Sequence, residues 1–290
     1  MTAEILLRDD SWHVRVLPEL GGGLSDCMFR GQPILVPVRQ SDSWPGADLA
    51  YYPLVPFSNR IANGRFFFEG RAIQLEPNVL GYAHPLHGQG WQAAWHVVDF
   101  TASACTITFD HAASGLWPWD YRATQTFEIG ANKLRIELEL LNLAAGRMPG
   151  GLGFHPFFPR AESAVLTAAA ASLWEGSAAE FPRRTGTVPP PLDFARARPL
   201  REARGVDRCY SGWRGLAAIE WPEAPHRVSI TASEALSHFM LYVPRDRDFF
   251  SIEPVSHVVD AVNFPAGDPD SPRVLEPDQA FSAAMTLRID

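Results

Sequence analysis

Short runs that alternate apolar and polar side chains, each closed by Gly, Pro, Asn or Asp, govern what this chain can fold into. "WHVRVL", "GRFFFEG", "WHVVDF", "CTITFD", "YRATQTFEI" and "KLRIELELLNL" carry the pattern through the first half. "RVSITAS", "HFMLYVP", "FFSIEPV" and "FSAAMTLRI" carry it to the end. A period of two puts alternate side chains on opposite faces of a strand, and turn residues at both ends mark short strands. "LRIELELLNL" alternates apolar with acidic residues, which suits a sheet with one wet face. Helical periodicity is scarce. The 25 prolines and 22 glycines fall as turn punctuation. The pattern predicts an all-β fold, a large antiparallel β-sandwich, with residues 1–290 forming one domain.

The stretch from Arg183 to Gly205, "RRTGTVPPPLDFARARPLREARG", reads as a loop, too short and too central for a domain linker. Gly21–Gly23 has no helix after it and reads as a turn or bulge rather than a phosphate loop. A hydrophobic share of 46 % provides a sizeable core without disulfides or metals. Lys+Arg is 25 and Asp+Glu is 33, a net charge of −8, which argues against nucleic acid as a partner. Cys27, Cys105 and Cys209 are an odd, widely spaced set with no CxxC, as expected in a reducing compartment. No basic stretch followed by a long apolar run opens the chain, and no apolar run reaches the ~18 residues of a membrane helix. The expected setting is the cytoplasm, with no membrane partner, as a monomer or homodimer.

Four segments set reactive side chains beside glycine or proline. "SNRIANGRF" contains an Asn63–Gly64 turn signal and offers Asn59 and Arg60 to a polar ligand, the guanidinium as a planar donor fork. "GYAHPLHGQGW" carries His84 and His87 three residues apart. Metal sites favour other spacings, so no metal is expected, and His87 reads either as a loop histidine satisfied by backbone or as a partner for a bound hydroxyl. In the same segment Trp91 reads as core or as a stacking surface for a sugar ring. "GGLGFHPFFP" surrounds His155 with apolar residues, which disfavours imidazolium. A structural and a catalytic histidine are equally compatible with that setting. "DFFSIEPVSHVVDAVNFP" ends an apolar strand on Glu253, where burial would raise the carboxyl toward the range of a general base. The alternative is a strand-end Glu paired with an arginine. His257, Asp260 and Asn263 read as loop-fixing residues, and Asp207 in "GVDRCYSGW" as a turn residue or a ligand for hydroxyls. No GxSxG elbow is present.

Taken in order, "PFSNRIANGRFFFEG", "HPLHGQGW", "GFHPFF", "VDRCYSGW" and "FFSIEPVSHVVDAVN" resemble the aldose 1-epimerase (galactose mutarotase) family, over most of the chain from Tyr51 to Phe264. The resemblance implies the galactose mutarotase-like supersandwich and a cofactor-free interconversion of the α and β anomers of a sugar. It implies Glu253 as the base on the anomeric hydroxyl, His155 as the acid on the ring oxygen and His87 as a helper. It further implies Arg60 and Asp207 as residues that orient hydroxyls. "EPVSHVVDAVN" replaces the threonine-rich segment usual in galactose-specific members, so the chain resembles the less characterised bacterial relatives. Glucose, galactose, a hexose 6-phosphate and sulfoquinovose stand as candidate substrates. The last two require a cationic subsite, for which Arg65, Arg71, Arg122, Arg160, Arg208 and Arg214 are candidates, with Gln89 and Trp91 lining it. Two readings compete with the mutarotase. One is a non-catalytic sugar-binding protein on the same scaffold, which has no need of His155 and Glu253 together. The other is a carbohydrate-cleaving domain.

Overall fold

The computed structural model describes residues 4–38, 48–176, 181, 185–265 and 267–290. Among them the helical pieces are short 3-10 turns such as Ala62–Gly64 and Gly90–Gln92. Two large antiparallel sheets dominate, of twelve and nine strands. The strand Lys133–Asn142 shows why the period-two reading works: buried residues alternate strictly with exposed or part-exposed ones. It pairs on one side with Tyr121–Gly130 and on the other with Ala280–Ile289.

The apolar residues of both sheets meet in one core. Phe154, Phe239, Leu241, Phe250 and Ile252 come from the twelve-stranded sheet; Ile107, Phe127, Ile136, Leu138, Met285 and Leu287 come from the nine-stranded one. The central strand Phe249–Val255 breaks the alternation, since all seven of its residues are buried. One face packs into the shared core; the other packs with Tyr52 and Leu54 of the strand Tyr51–Leu54 and with Trp91 from a covering loop. A strand covered on both faces reads as a continuous apolar run, so a buried Glu253 within it is conspicuous.

The Arg183–Gly205 stretch departs from its loop reading. Arg183 and Arg184 lie outside the described residues, but Phe194–Pro199 is a strand paired with Val165–Ala168. It is the outermost strand of its sheet, Arg196 is exposed while Arg198 bonds to Glu202 and to backbone carbonyls, and an edge tolerates the prolines and charges that made it look irregular. Gly21 and Gly22 do form a turn, with φ of +71° and +59°, and a Cβ on Gly21 would lie 1.9 Å from the Trp91 carbonyl. Asn63 and Gly64 also take positive φ, but they lead into the hairpin Arg65–Gln74 rather than closing it. The three cysteines are buried and free. No helix among the described residues is long and apolar enough to cross a membrane.

Candidate active site

The site lies on the face of the twelve-stranded sheet that turns away from the shared core. Gly153 pairs with Val255 and Phe158 with Phe250, so the register sets His155 directly opposite Glu253. His155 in turn pairs with Tyr52, and Glu253 with Met240. Tyr52, His155 and Glu253 therefore stand side by side on one rung. The next rung toward the mouth holds Ser251, Tyr242 and Asp207, by the pairs Tyr242–Ser251 and Asp207–Tyr242. Two loops close the space above: Ser58–Arg60 and Leu86–Trp91. The result is a pocket of about 250 Å³ lined by Tyr52, Asn59, Arg60, His87, His155, Asp207, Tyr242 and Glu253, with an apolar wall that includes Val79 and Leu86.

His155 Nε2 is 3.2 Å from Glu253 Oε1, and both side chains are almost fully buried. The Ser251 hydroxyl sits 3.4 Å from His155 Nδ1 and donates to the Pro156 carbonyl. Burial disfavours both charged forms. It holds the Glu253 carboxyl well above the ordinary carboxylate range, aided by the field of Asp207 and opposed by Arg60. It lowers His155 to about 3, against a hydrogen bond to its own backbone carbonyl. Both directions favour the neutral pair, with the proton on Glu253 and His155 uncharged; a carboxylate base and an imidazolium acid arise when that proton crosses the 3.2 Å contact. Asp207 is raised by burial and pulled back by Arg60 and Arg208.

The Leu86–Trp91 loop is held from within. Asn78 accepts from the Leu86 N–H and donates to the Leu86 and Gly88 carbonyls. Trp91 Nε1 donates to the same two carbonyls. Gly88 has φ +70°, and a Cβ there would lie 2.1 Å from the Val55 carbonyl oxygen, so only glycine lets the loop approach the sheet. The next loop is reciprocal: Asn59 N–H donates to His87 Nδ1 at 2.9 Å, and His87 N–H donates to the Asn59 carbonyl at 2.8 Å. Both residues take positive φ, 57° and 59°. With Nδ1 accepting, the proton of the neutral His87 ring is on Nε2. Burial lowers this ring well below the ordinary histidine value, with the neighbouring His155 and Arg60 acting in the same direction.

Of the eight residues expected at the site, seven line the pocket; Gln89 does not. Its amide donates to the Leu116 carbonyl and accepts from the Tyr121 hydroxyl, which turns it into the protein. Trp91 lines the wall, but its ring stacks on Tyr52 at 5.2 Å, so it buttresses the tyrosine. His84 stays apart from His87 and accepts from the Asn63 N–H. The six arginines named for a cationic subsite do not line the pocket; Arg122 pairs with Asp110 and Arg160 donates to backbone carbonyls. Tyr82 and Tyr242 also line the pocket and were missed. Tyr242 was reachable from sequence, because period two in "HFMLYVP" puts it on the face of Met240. Tyr82 was not, since a loop tyrosine carries no such signal.

A family model described as aldose 1-epimerase matches residues 4–288. The chain belongs to the aldose 1-epimerase family. Among its relatives is the uncharacterized protein YphB of Escherichia coli K12, 31 % identical over 281 residues, with 93 % of each chain covered. A crystal structure of a candidate aldose 1-epimerase from Escherichia coli K12 superposes with a TM-score of 0.90 at 29 % identity, covering 99 % of both chains. The GalM/aldose epimerase homologue from C. elegans gives a TM-score of 0.82 at 18 % identity, with 100 % of this chain and 99 % of that one covered. At that identity the likeness shows the fold alone. The all-β galactose mutarotase-like sandwich is thus the architecture of this family member.

Proposed function

We propose that this protein is an aldose 1-epimerase that interconverts the α and β anomers of an uncharged hexopyranose. The observation that carries this reading is the His155–Glu253 contact at 3.2 Å on one rung of the sheet, inside the pocket. Ring opening removes a proton from the anomeric hydroxyl and gives one to the ring oxygen, and both oxygens are bonded to the same carbon. A base and an acid on neighbouring strands, with Cβ atoms about 5 Å apart, suit such a pair of targets.

Glu253 takes the hydroxyl proton as the C1–ring oxygen bond breaks, and His155 delivers a proton to the departing ring oxygen. The open-chain aldehyde rotates about C1–C2, and closure runs the same two transfers in reverse on the other face of the carbonyl. The proton count returns to its starting value, so no cofactor is consumed. Each positioned acid or base contributes about 10²–10⁴-fold. His87 presents Nε2–H to a sugar oxygen. Arg60 donates, and Asp207 accepts, at the remaining hydroxyls.

The charge of the lining favours an uncharged sugar. Among the described lining residues Arg60 is the one Lys or Arg, and its field already acts on both Asp207 and Glu253. A phosphate or sulfonate would enter beside two acidic side chains, with no second cation among the described lining residues.

Anomer exchange measured by NMR magnetisation transfer tests the reading, with glucose, galactose, glucose 6-phosphate and sulfoquinovose as substrates. Wild type should accelerate exchange of a neutral hexose, and Glu253→Gln should lower that rate by about 10²–10⁴-fold. If no sugar exchanges faster than its blank, the pocket is a binding site and the enzyme assignment fails. If only the anionic sugars exchange, the charge argument fails.

A further inference from the structure

Two successive backbone N–H groups on the pocket loop point at two different imidazoles. Ser58 N–H donates to His257 Nε2 at 3.1 Å, and Asn59 N–H donates to His87 Nδ1 at 2.9 Å. His257 sits outside the pocket lining, 3 % exposed, at the far side of the loop. Its Nδ1–H donates to the Val258 carbonyl at 2.8 Å, which leaves Nε2 as an acceptor. Both of its ring nitrogens are thus committed to backbone, and each commitment requires the other.

The space for this ring is built by the segment that carries His155. A Cβ on Gly151 would lie 2.1 Å from His257 Cδ2 and 2.4 Å from its Nε2. Gly151 N–H meanwhile donates to the Pro56 carbonyl at 2.7 Å, two residues before Ser58. "GGLGFHPFF" therefore does two things: it places His155 on the sheet and leaves a slot for His257 under the loop. A glycine whose missing side chain accommodates one imidazole, with that imidazole hydrogen-bonded to a pocket loop, has no evident purpose in the bare scaffold.

We propose that His257 is a positioning residue for the sugar site: it anchors Ser58 so that the next N–H, that of Asn59, fixes His87 as an Nε2–H donor toward the substrate. This rests on the pocket being the sugar site. The consequence is chemical. A histidine free to choose its tautomer can present either a donor or a lone pair to the ligand. Held by the Asn59 N–H, His87 presents only the donor. That role is distinct from the proton exchange assigned to His155, and it is a binding role. Loss of the anchor should weaken the ground state and the transition state alike, which raises KM and leaves kcat nearly unchanged.

The test has two readouts, one of which needs no sugar. Long-range ¹H–¹⁵N correlation of the histidine rings in the free wild-type protein should show His87 as a single tautomer with bare Nδ1 and protonated Nε2. The opposite tautomer would overturn the proposal at once. In His257→Leu, which cannot accept from Ser58, His87 should become a mixture of tautomers, and KM should rise about tenfold with kcat within about twofold, on the scale of one misplaced hydrogen bond. His257→Gln offers an amide oxygen to Ser58 and should restore the single tautomer. If His257→Leu does not fold, Gly151→Ala displaces the ring while keeping it and should give the same mixture. An unchanged tautomer and KM in the folded variant would refute the anchoring role. Wild type that accelerates no anomer exchange, with tautomers responding as stated, would sink the mutarotase and leave the anchoring role of His257 standing.

Discussion

His155 and Glu253 have to be considered as one unit. Burial disfavours the charged form of each, and the proposed reaction needs one proton on the pair: with none there is no acid, and with two there is no base. Raising the pH strips the pair only above the raised range of the Glu253 carboxyl. Lowering it adds a second proton only near 3, the level to which burial pushes His155. The kcat/KM profile for a neutral hexose should therefore place its acid limb near 3 and its alkaline limb above the ordinary carboxylate range, because free-enzyme titrations govern that ratio. A lone histidine acid would instead produce an inflection near its ordinary value of about 6.5, and such an inflection would contradict the shared-proton description. These two residues were legible in the sequence, because each stood in an apolar strand beside proline, where an ionisable group is costly without a purpose. Their contact was not legible. It depends on a register between strands about a hundred residues apart, and nothing local encodes which strands pair.

At the scale of elements, the polar cluster of "SNRIANGR" is held by the turn that follows the strand carrying Glu253. Asp260 N–H donates to the Arg60 carbonyl at 3.1 Å, and its Oδ1 accepts from Ala62 N–H at 2.8 Å. Asn263 donates to the Arg65 carbonyl and to that same Asp260 oxygen. "SHVVDAVN" thus grips the Ser58–Arg65 stretch on both sides of Arg60, from 198 residues away in sequence. That these residues fix a loop was evident from their types; which loop they fix was not, because the partner lies across the whole chain. Removing the carboxylate leaves the Ala62 N–H in a part-buried setting without its acceptor. Asp260→Ala should cost about 1–3 kcal/mol in a urea unfolding experiment, the penalty for an unsatisfied donor. The same change should raise KM for the sugar through a loosened Arg60. Asp260→Asn keeps an acceptor oxygen and should recover most of both. Equal losses in the two variants would show that the hydrogen bond to Ala62 is immaterial and that charge or shape is what matters at this position.

The whole molecule couples this site to its acid stability. His87, His155 and His257 are all buried as neutral rings, lowered chiefly by burial, His155 to about 3 and His257 to about 4. The unfolded chain binds protons at these positions once the pH falls through about 6.5, whereas the native chain does not. The unfolded state therefore holds more protons in that window, and stability falls as pH falls. For His257 the contribution is complete above about 6.5 and is lost progressively down to about 4. Each such group adds up to about 1.4 kcal/mol of slope per pH unit within its window. Glu253 acts in the opposite sense over an overlapping window, which opens at the ordinary carboxylate value. Its raised carboxyl stabilises the fold at low pH and gives that stability up as pH rises through its folded value. The chain should thus be less stable at pH 4.5 than at pH 7, and its urea midpoint should track the difference. Replacing His257 by Gln removes one of the three rings while keeping an acceptor for Ser58 N–H. The acid limb of the His257→Gln variant should be shallower by about one group's share, even where its stability at pH 7 is close to that of wild type. A limb of unchanged slope would mean that His257 is already protonated in the native state, and the donation from Ser58 N–H to its Nε2 could not then exist.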